Sequence, residues 1–231
     1  MSYENALQRL RDERGRMSVT QEQMSRFIHI SQSYYSKVER GERLLAYYEL
    51  KSMCEHGMDV HFIFTGQRCS GRYKDFFVKL EYAELLGHLN ILSAVVKYFY
   101  VTRAGAHWES LYRQVAYLGC VEEYRKTEGN VFYGLRKQLD WPQQKMAGKL
   151  GVDVKKLRAL ENSKTLPDSE LVYKLYDMYC IPPAAVLKDA EGMANVIGCL
   201  LEMMEKDKGE FVFRFLRELH AAALLSASAR I

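Results

Sequence analysis

The chain has 231 residues, of which 48% are hydrophobic and 27% are charged, and its formal net charge is +4. We expect a soluble protein with one or two cores, and this mild charge permits a nucleic-acid partner without requiring one. Five cysteines without CxxC spacing argue against a disulfide framework or a zinc site. The N-terminus lacks an apolar signal core, and the most apolar run, residues 89–101, is interrupted by Lys97. We therefore expect a cytoplasmic protein with no membrane partner.

Apolar residues at helical spacing predict a first helix over residues 3–14. Leu7 and Leu10 face inward, and Gly15 ends the helix. The opposite face is predicted to be solvent-exposed, with Arg9, Arg11, Asp12 and Glu13. Four residues, 16–19, then separate this helix from the next predicted element.

Residues 20–41 predict two short helices joined by a tight turn. Thr20 occupies an N-cap position before the first helix, and Ser31 occupies the same position before the second. Gly41 supplies the C-terminal stop. Further short helices are predicted over residues 44–56 and 60–64.

The outward face of the second short helix carries groups that can form hydrogen bonds with a ligand. It presents small amide, hydroxyl and ammonium groups near a helix N-terminus, on Gln32, Ser33, Ser36 and Lys37. Such a helix fits the major groove of B-DNA, where Gln pairs with adenine and Lys with guanine. That role requires no catalytic residue and no cofactor.

Residues 5–66 resemble the helix-turn-helix domain of the Cro and CI phage repressor family, also called the xenobiotic-response-element type. The resemblance rests on Thr20-Gln21, on Ser31-Gln32-Ser33 and on Glu39-Arg40-Gly41. It implies a five-helix, lambda-repressor-like domain with an ion pair between Arg11 and Glu39. It also implies a bacterial or phage protein that associates with the nucleoid. His29 replaces the usual turn Gly, and His tolerates a positive φ better than most residues do.

The chain also repeats itself at a constant offset. Gln21 and Gln143 lie 122 positions apart, as do Glu39 and Glu161. We therefore predict a second domain of the same family over residues 129–188, besides the first over residues 1–68. We call these the first unit and the second unit.

The second unit departs from the first at its predicted DNA face. Pro142 takes a first helical position, Ser163 replaces the terminal Gly, and the resemblance implies an ion pair between Arg136 and Glu161. The exposed face has more charge and fewer amide groups, with Val154, Lys155, Lys156, Arg158 and Ala159. Basic side chains hold phosphates without reading sequence, and Val154 suits contact with a thymine methyl group. The alternative is a packing or dimerisation copy that has lost base readout.

Residues 69–128 form a helical linker region rich in aromatic side chains, with helices predicted over residues 73–87, 90–102 and 108–127 and a break near Gly105. Two interpretations remain open: the rings pack against the units, or they line a pocket for a small-molecule or peptide effector. Residues 189–231 predict an apolar helical hairpin, over residues 190–205 and 210–226. It is buried either against its own chain or against a second copy, and we expect a homodimer.

Together these patterns predict an all-α protein with two DNA-binding domains, a helical linker and a C-terminal hairpin. We expect a sequence-specific transcriptional regulator, a repressor, that binds double-stranded DNA. Its predicted contacts are Gln21, Ser31, Gln32, Ser33, Tyr34, Ser36, Lys37, Arg43, Gln143, Val154, Lys155, Lys156 and Arg158. The alternative is an interaction protein, antirepressor or antitoxin-like, that keeps the fold without specific DNA binding. No metal-ligand or catalytic spacing supports an enzyme.

Overall fold

A computed structural model describes residues 3–103, 105–119, 121 and 130–228, and every regular element in those ranges is a helix. The prediction of an all-α protein is confirmed. The first helices are α1 (Tyr3–Arg16), α2 (Gln21–Phe27), α3 (Gln32–Glu39), α4 (Tyr47–Glu55), α5 (Val60–Thr65), α6 (Lys74–Phe77), α7 (Tyr82–Thr102) and α8 (Ala106–Val115). They are followed by α9 (Val131–Gln138), α10 (Gln143–Leu150), α11 (Val154–Glu161), α12 (Ser169–Tyr179), α13 (Pro183–Leu187), α14 (Ala190–Glu202) and α15 (Lys206–Ser228).

Helices α1–α5 enclose the core of the first unit. Met24, Tyr35 and Val38 are fully buried where α2 and α3 meet, and α1 packs against α3 and α5. Thr20 caps α2 with a complete capping box, and the Ser31 hydroxyl accepts a hydrogen bond from the Tyr34 N–H at the start of α3. The two predicted N-caps are confirmed.

Helices α9–α13 repeat most of this arrangement. The contacts of α9 and α10 with α11 match those of α1 and α2 with α3, and α12 contacts α13 as α4 contacts α5, whereas the close packing of α1 on α5 has no match of similar extent between the described residues of α9 and α13. Four pairs of residues 122 positions apart share a positive φ: Ser18 (57°) and Asp140 (49°), His29 (59°) and Gly151 (70°), Gly41 (78°) and Ser163 (54°), Gly66 (72°) and Lys188 (52°). The repeat in the sequence is therefore a repeat in backbone conformation.

Several predicted helix boundaries are wrong. Helix α1 continues through Gly15 to Arg16, so the connection to α2 is shorter than expected. Pro142 is the N-cap of α10 rather than its first helical residue. The predicted loop at residues 206–209 is the first turn of α15.

The linker region also differs from the prediction. A single helix, α7, runs through the predicted break at residues 87–90, and Gly87 has an ordinary helical φ rather than the positive φ of a turn. The break near Gly105 is confirmed, with α8 starting at Ala106. The end of the third predicted helix, residues 122–127, lies outside the described residues.

Aromatic rings of the linker contact one another. Phe99 stacks on Trp108 with ring centroids 4.6 Å apart, and Tyr100 stacks on Tyr112 at 4.3 Å. Phe77 is fully buried and touches Phe213 of α15. These contacts match the packing interpretation of the rings.

Helix α14 is the central element of the C-terminal half. Met193, Ala194 and Ile197 are completely buried, and α14 packs against α5, α6, α7, α13 and α15. The first alternative for the hairpin, burial against its own chain, therefore holds for α14. Helix α15 leaves Phe211 and Phe215 exposed, and the homodimer stays a prediction.

Within the described residues, α7 is the one helix long and apolar enough to cross a bilayer by length and composition. The sequence analysis expects two helices here, with Lys97 interrupting the apolar run. Leu85, Leu89 and Leu92 are buried, and α7 packs against α8 and α14. One face of α7 thus packs within the protein, while Tyr98 and Val101 near its end are exposed.

Candidate nucleic-acid interface

In the first unit, Glu39 joins three helices. Its carboxylate is nearly buried at the end of α3, and Arg14 of α1 donates to it from Nε to Oε1 at 2.7 Å and from a second nitrogen to Oε2 at 3.3 Å. The Gln21 amide of α2 donates to Oε2 at 2.7 Å. The charged hydrogen bond to Glu39 raises the pKa of Arg14. The arrangement fixes how α3 sits relative to α1 and α2.

The second unit contains the same network 122 residues later. Arg136 pairs with Glu161 through Nε and through a second nitrogen at 3.2 Å, and the Gln143 amide donates to Glu161 Oε2 at 2.7 Å. Arg136 also donates to the Trp141 carbonyl, as Arg14 does to the Val19 carbonyl. The Arg136–Glu161 ion pair implied by the resemblance is confirmed.

The predicted Arg11–Glu39 pair is wrong. Arg11 is exposed and donates to the Leu7 carbonyl within its own helix, whereas Arg14, one turn later, reaches Glu39. Arg14 precedes Arg136 by the same 122 positions that separate the two glutamates. Applying the offset to the arginines would have found the correct residue.

A second buried carboxylate was also missed. Glu13, predicted to face outward, is completely buried and pairs with Arg16 and Arg68. Burial opposes its charged form, but hydrogen bonds from Arg16, Arg68 and the Asp59 N–H together lower the pKa of Glu13. The contact joins α1 to α5 and to the chain after it, and a local helical pattern cannot reveal partners 46 and 55 positions away.

The predicted base-reading residues of α3 point to solvent. Gln32, Ser33 and Lys37 are exposed, whereas Tyr35 and Val38 on the other side are fully buried. Because the Glu39 network holds α3 from behind, these side chains form a fixed polar surface. It has the size and the donor and acceptor groups for a major groove.

Four of the five predicted phosphate contacts around α3 have an intramolecular partner. Gln21 donates to Glu39, and Ser31 caps α3. The Tyr34 hydroxyl donates to the Leu44 carbonyl at 3.0 Å, and the Ser36 hydroxyl accepts from Arg40 at 2.8 Å. Arg43 is exposed beside them. These side chains surround α3 in fixed positions.

The outer surface of α11 differs in chemistry. Lys155, Lys156 and Arg158 are exposed, and Val154 is half-buried. Lys156 approaches Asp168 at 3.4 Å, and Arg158 donates to the Gln143 amide oxygen at 3.3 Å. Asp153 caps the helix by accepting from the Lys156 N–H. This surface is basic, with none of the amide groups found on α3.

The balance of charge also differs between the two surfaces. Around α3, Arg26 pairs with Glu22 and Arg40 pairs with Glu42, so part of the positive charge is neutralised. Around α11, exposed lysines outnumber acidic residues, with Lys145, Lys149, Lys155, Lys156 and Lys164. The positive potential that attracts phosphates is therefore stronger at the second unit.

Comparison with known proteins identifies one part of this architecture. The family model described as helix-turn-helix domain matches residues 6–56, which span α1 to α4. No curated protein and no solved structure matches the chain. Residues 6–56 thus form a helix-turn-helix domain, of which α3 is the third helix.

Proposed function

We propose that the protein is a sequence-specific transcriptional regulator, a repressor, with two Cro/CI-type DNA-binding domains over residues 1–68 and 129–188. One observation carries this proposal: α3 presents Gln32, Ser33 and Lys37 to solvent from a helix fixed by the Glu39 network. Solvent-facing polar groups on a rigid helix suit base readout. The match over residues 6–56 supports the same assignment, and helix-turn-helix domains bind DNA rather than catalyse reactions.

The two units have different roles in this proposal. In the first unit, base readout is by Gln32, Ser33 and Lys37. The DNA phosphates beside these bases are contacted by Gln21, Ser31, Tyr34, Ser36 and Arg43. The second unit holds phosphates with Gln143, Lys155, Lys156 and Arg158, and Val154 contacts a thymine methyl group. Support comes from the polar surface of α3 and the basic surface of α11.

The test begins with selection of binding sites from a random duplex pool at about 150 mM salt, where nonspecific phosphate binding is weak. Enrichment of a motif is expected. Failure to enrich any motif, with only salt-sensitive binding, would overturn the proposal in favour of an interaction protein.

Two variants then distinguish residues that read bases from residues that contact phosphates. Gln32→Ala should weaken binding to the selected site by about 1–3 kcal/mol and relax specificity at one position. Lys155→Ala should weaken binding to all sequences similarly and reduce the salt dependence, and Lys97→Ala, an exposed change on α7, is the charge control. Equal, sequence-independent losses for Gln32→Ala and Lys155→Ala would contradict this division.

A further inference from the structure

The two units contact each other reciprocally. Helix α5 of the first unit packs against its own counterpart, α13 of the second. Helix α5 also contacts α12, and α13 contacts α4, which is the same contact with the units exchanged. An interface in which each side uses the same elements is the signature of two-fold symmetry.

Two equivalent residues, Ser169 and Tyr47, each reach across to the other unit, although their hydrogen bonds have different partners. Ser169, the first residue of α12, lines the cavity in the core of the first unit, and it accepts from the Leu45 N–H at 3.1 Å and bonds the Tyr3 hydroxyl at 2.7 Å. Tyr47, the first residue of α4, lines the matching cleft of the second unit, and its hydroxyl donates to the Leu187 carbonyl at 3.3 Å. Tyr47 and Ser169 are 122 positions apart.

The walls of the two cavities correspond in part. Four wall residues of the first have a counterpart 122 positions later in the second: Leu10 and Phe132, Val38 and Leu160, Leu45 and Pro167, Phe64 and Val186. A head-to-tail arrangement of two repeats would place different surfaces in contact. The contacts here place the same surface of each unit at the interface, so the units are related by a rotation of approximately half a turn.

This symmetry relates α3 to α11. Both helices are exposed on their outer faces, and neither takes part in the contacts between α4, α5, α12 and α13. Two recognition helices related by a two-fold axis read half-sites in opposite directions, about 34 Å apart in dimeric helix-turn-helix proteins. Here, both helices belong to one chain and carry different side chains.

We infer that one chain acts as an internal pseudo-dimer that recognises two unlike DNA half-sites in inverted orientation. The inference rests on the proposed DNA-binding function. The α3 half-site is read by amide, hydroxyl and ammonium groups, and the α11 half-site is held mainly through phosphates. A second copy of the chain is not required for either half-site.

The decisive experiment transfers the surface of α3 onto α11. Counting 122 positions from α3 gives the changes Val154→Gln, Lys155→Ser, Arg158→Ser and Ala159→Lys, while Lys156 keeps its contact with Asp168. In a random-pool selection this full-length variant should enrich the α3 motif twice, as an inverted repeat. It should bind the inverted repeat about tenfold more tightly than a direct repeat of the same motif. Enrichment of a direct repeat, or of a single motif only, would overturn the inference.

A measurement on the unaltered protein does not depend on the folding of that variant. Native mass spectrometry with the selected duplex should show one chain per site. A duplex that ends just beyond the α3 motif, on the side where α11 would bind, should bind about tenfold more weakly because it lacks the phosphates of the second half-site. Two chains per site, or indifference to this truncation, would overturn the pseudo-dimer. A motif enriched under those outcomes would leave the proposed DNA-binding function intact, whereas no motif at all would reject that function first.

Discussion

Arg14 connects α1 to α3 through Glu39, in the role that the sequence analysis expects of Arg11. Glu39 has a side chain only 4% exposed, so its charge depends on Arg14 and Gln21 for compensation. Removing one member of a buried pair leaves the other charge uncompensated and destabilises strongly.

We therefore expect Arg14→Met to lower the free energy of unfolding by about 3 kcal/mol. Arg11→Met, a matched change on the exposed face of the same helix, should alter it by less than about 0.5 kcal/mol. Urea unfolding followed by circular dichroism measures both variants. Similar losses would mean that the Glu39 pair adds nothing that an exposed arginine does not.

The sequence predicted the residues of the networks better than their partners. The repeat links the two glutamates, because Glu39 and Glu161 lie 122 positions apart. The arginines follow from the family resemblance, which gives Arg136 correctly and Arg11 wrongly, since Arg14 is the residue of α1 that reaches Glu39. Glu13 was missed because its partner Arg68 lies beyond the predicted domain core, where spacing within one helix gives no information.

At the level of elements, the turn between the second and third helix of each unit places one residue in the left-handed region. His29 has φ 59° in the first unit and Gly151 has φ 70° in the second. Glycine adopts this conformation without the steric cost that a Cβ atom imposes. The same turn therefore has a different intrinsic cost in the two units.

Two opposite changes are expected from this difference. Gly151→Ala should destabilise the protein by about 1 kcal/mol, and His29→Gly should stabilise it by up to about 1 kcal/mol. Thermal unfolding of both variants measures the effects, with Gly148→Ala inside α10 as the control at an ordinary helical φ. Destabilisation by His29→Gly would show that the His29 side chain contributes more than its backbone strain costs.

The helices themselves were well predicted where caps and periodicity agree. The caps Thr20 and Ser31 follow from local signals. The break within α7 and the loop before α15 were inferred from Gly, Asn and charged residues alone. Both segments stay helical because tertiary packing, against α8 and α14 for α7 and against α14 for α15, outweighs those weak local preferences.

At the level of the whole molecule, His61 lies where the first unit meets the C-terminal half. It is buried on α5 and lines the same cavity as Tyr176 of α12 and Leu200 of α14. Neither ring nitrogen has a hydrogen-bond partner among the described residues, and burial lowers the pKa of His61 from 6.5 to about 4. The folded protein therefore holds this histidine neutral.

Low pH should lower the free energy of unfolding because of His61. The unfolded chain takes up the proton near pH 6.5 and the folded chain only near pH 4, so stability is full above pH 6.5 and falls as the pH drops between these values. At pH 5 the loss should be about 2 kcal/mol.

The test compares urea midpoints at pH 7 and pH 5. In His61→Phe this part of the pH dependence should disappear, while His107→Phe, a change at an exposed histidine, should retain it. An unchanged pH dependence in His61→Phe would show that another group is responsible.

The arrangement of the units was the part of the fold that local patterns could not predict. The 122-residue repeat predicted two similar units, but not how they meet. The contacts of Ser169 with Leu45 and of Tyr47 with Leu187 join positions 124 and 140 residues apart, and only the folded chain places them together.

Covalent connection of the two units has a consequence for how gene control would respond to protein dosage. A dimeric repressor dissociates into single chains when it is dilute, and each single chain has only half of the DNA-binding surface. The occupancy of its DNA site therefore falls more steeply than the repressor concentration. In a chain that carries both units, the second is present at an effective concentration fixed by the linker and the α5–α13 contact, whatever the number of molecules in the cell. Occupancy of the DNA site would then depend hyperbolically on protein concentration. Regulation would change gradually with the number of molecules instead of appearing above a threshold concentration.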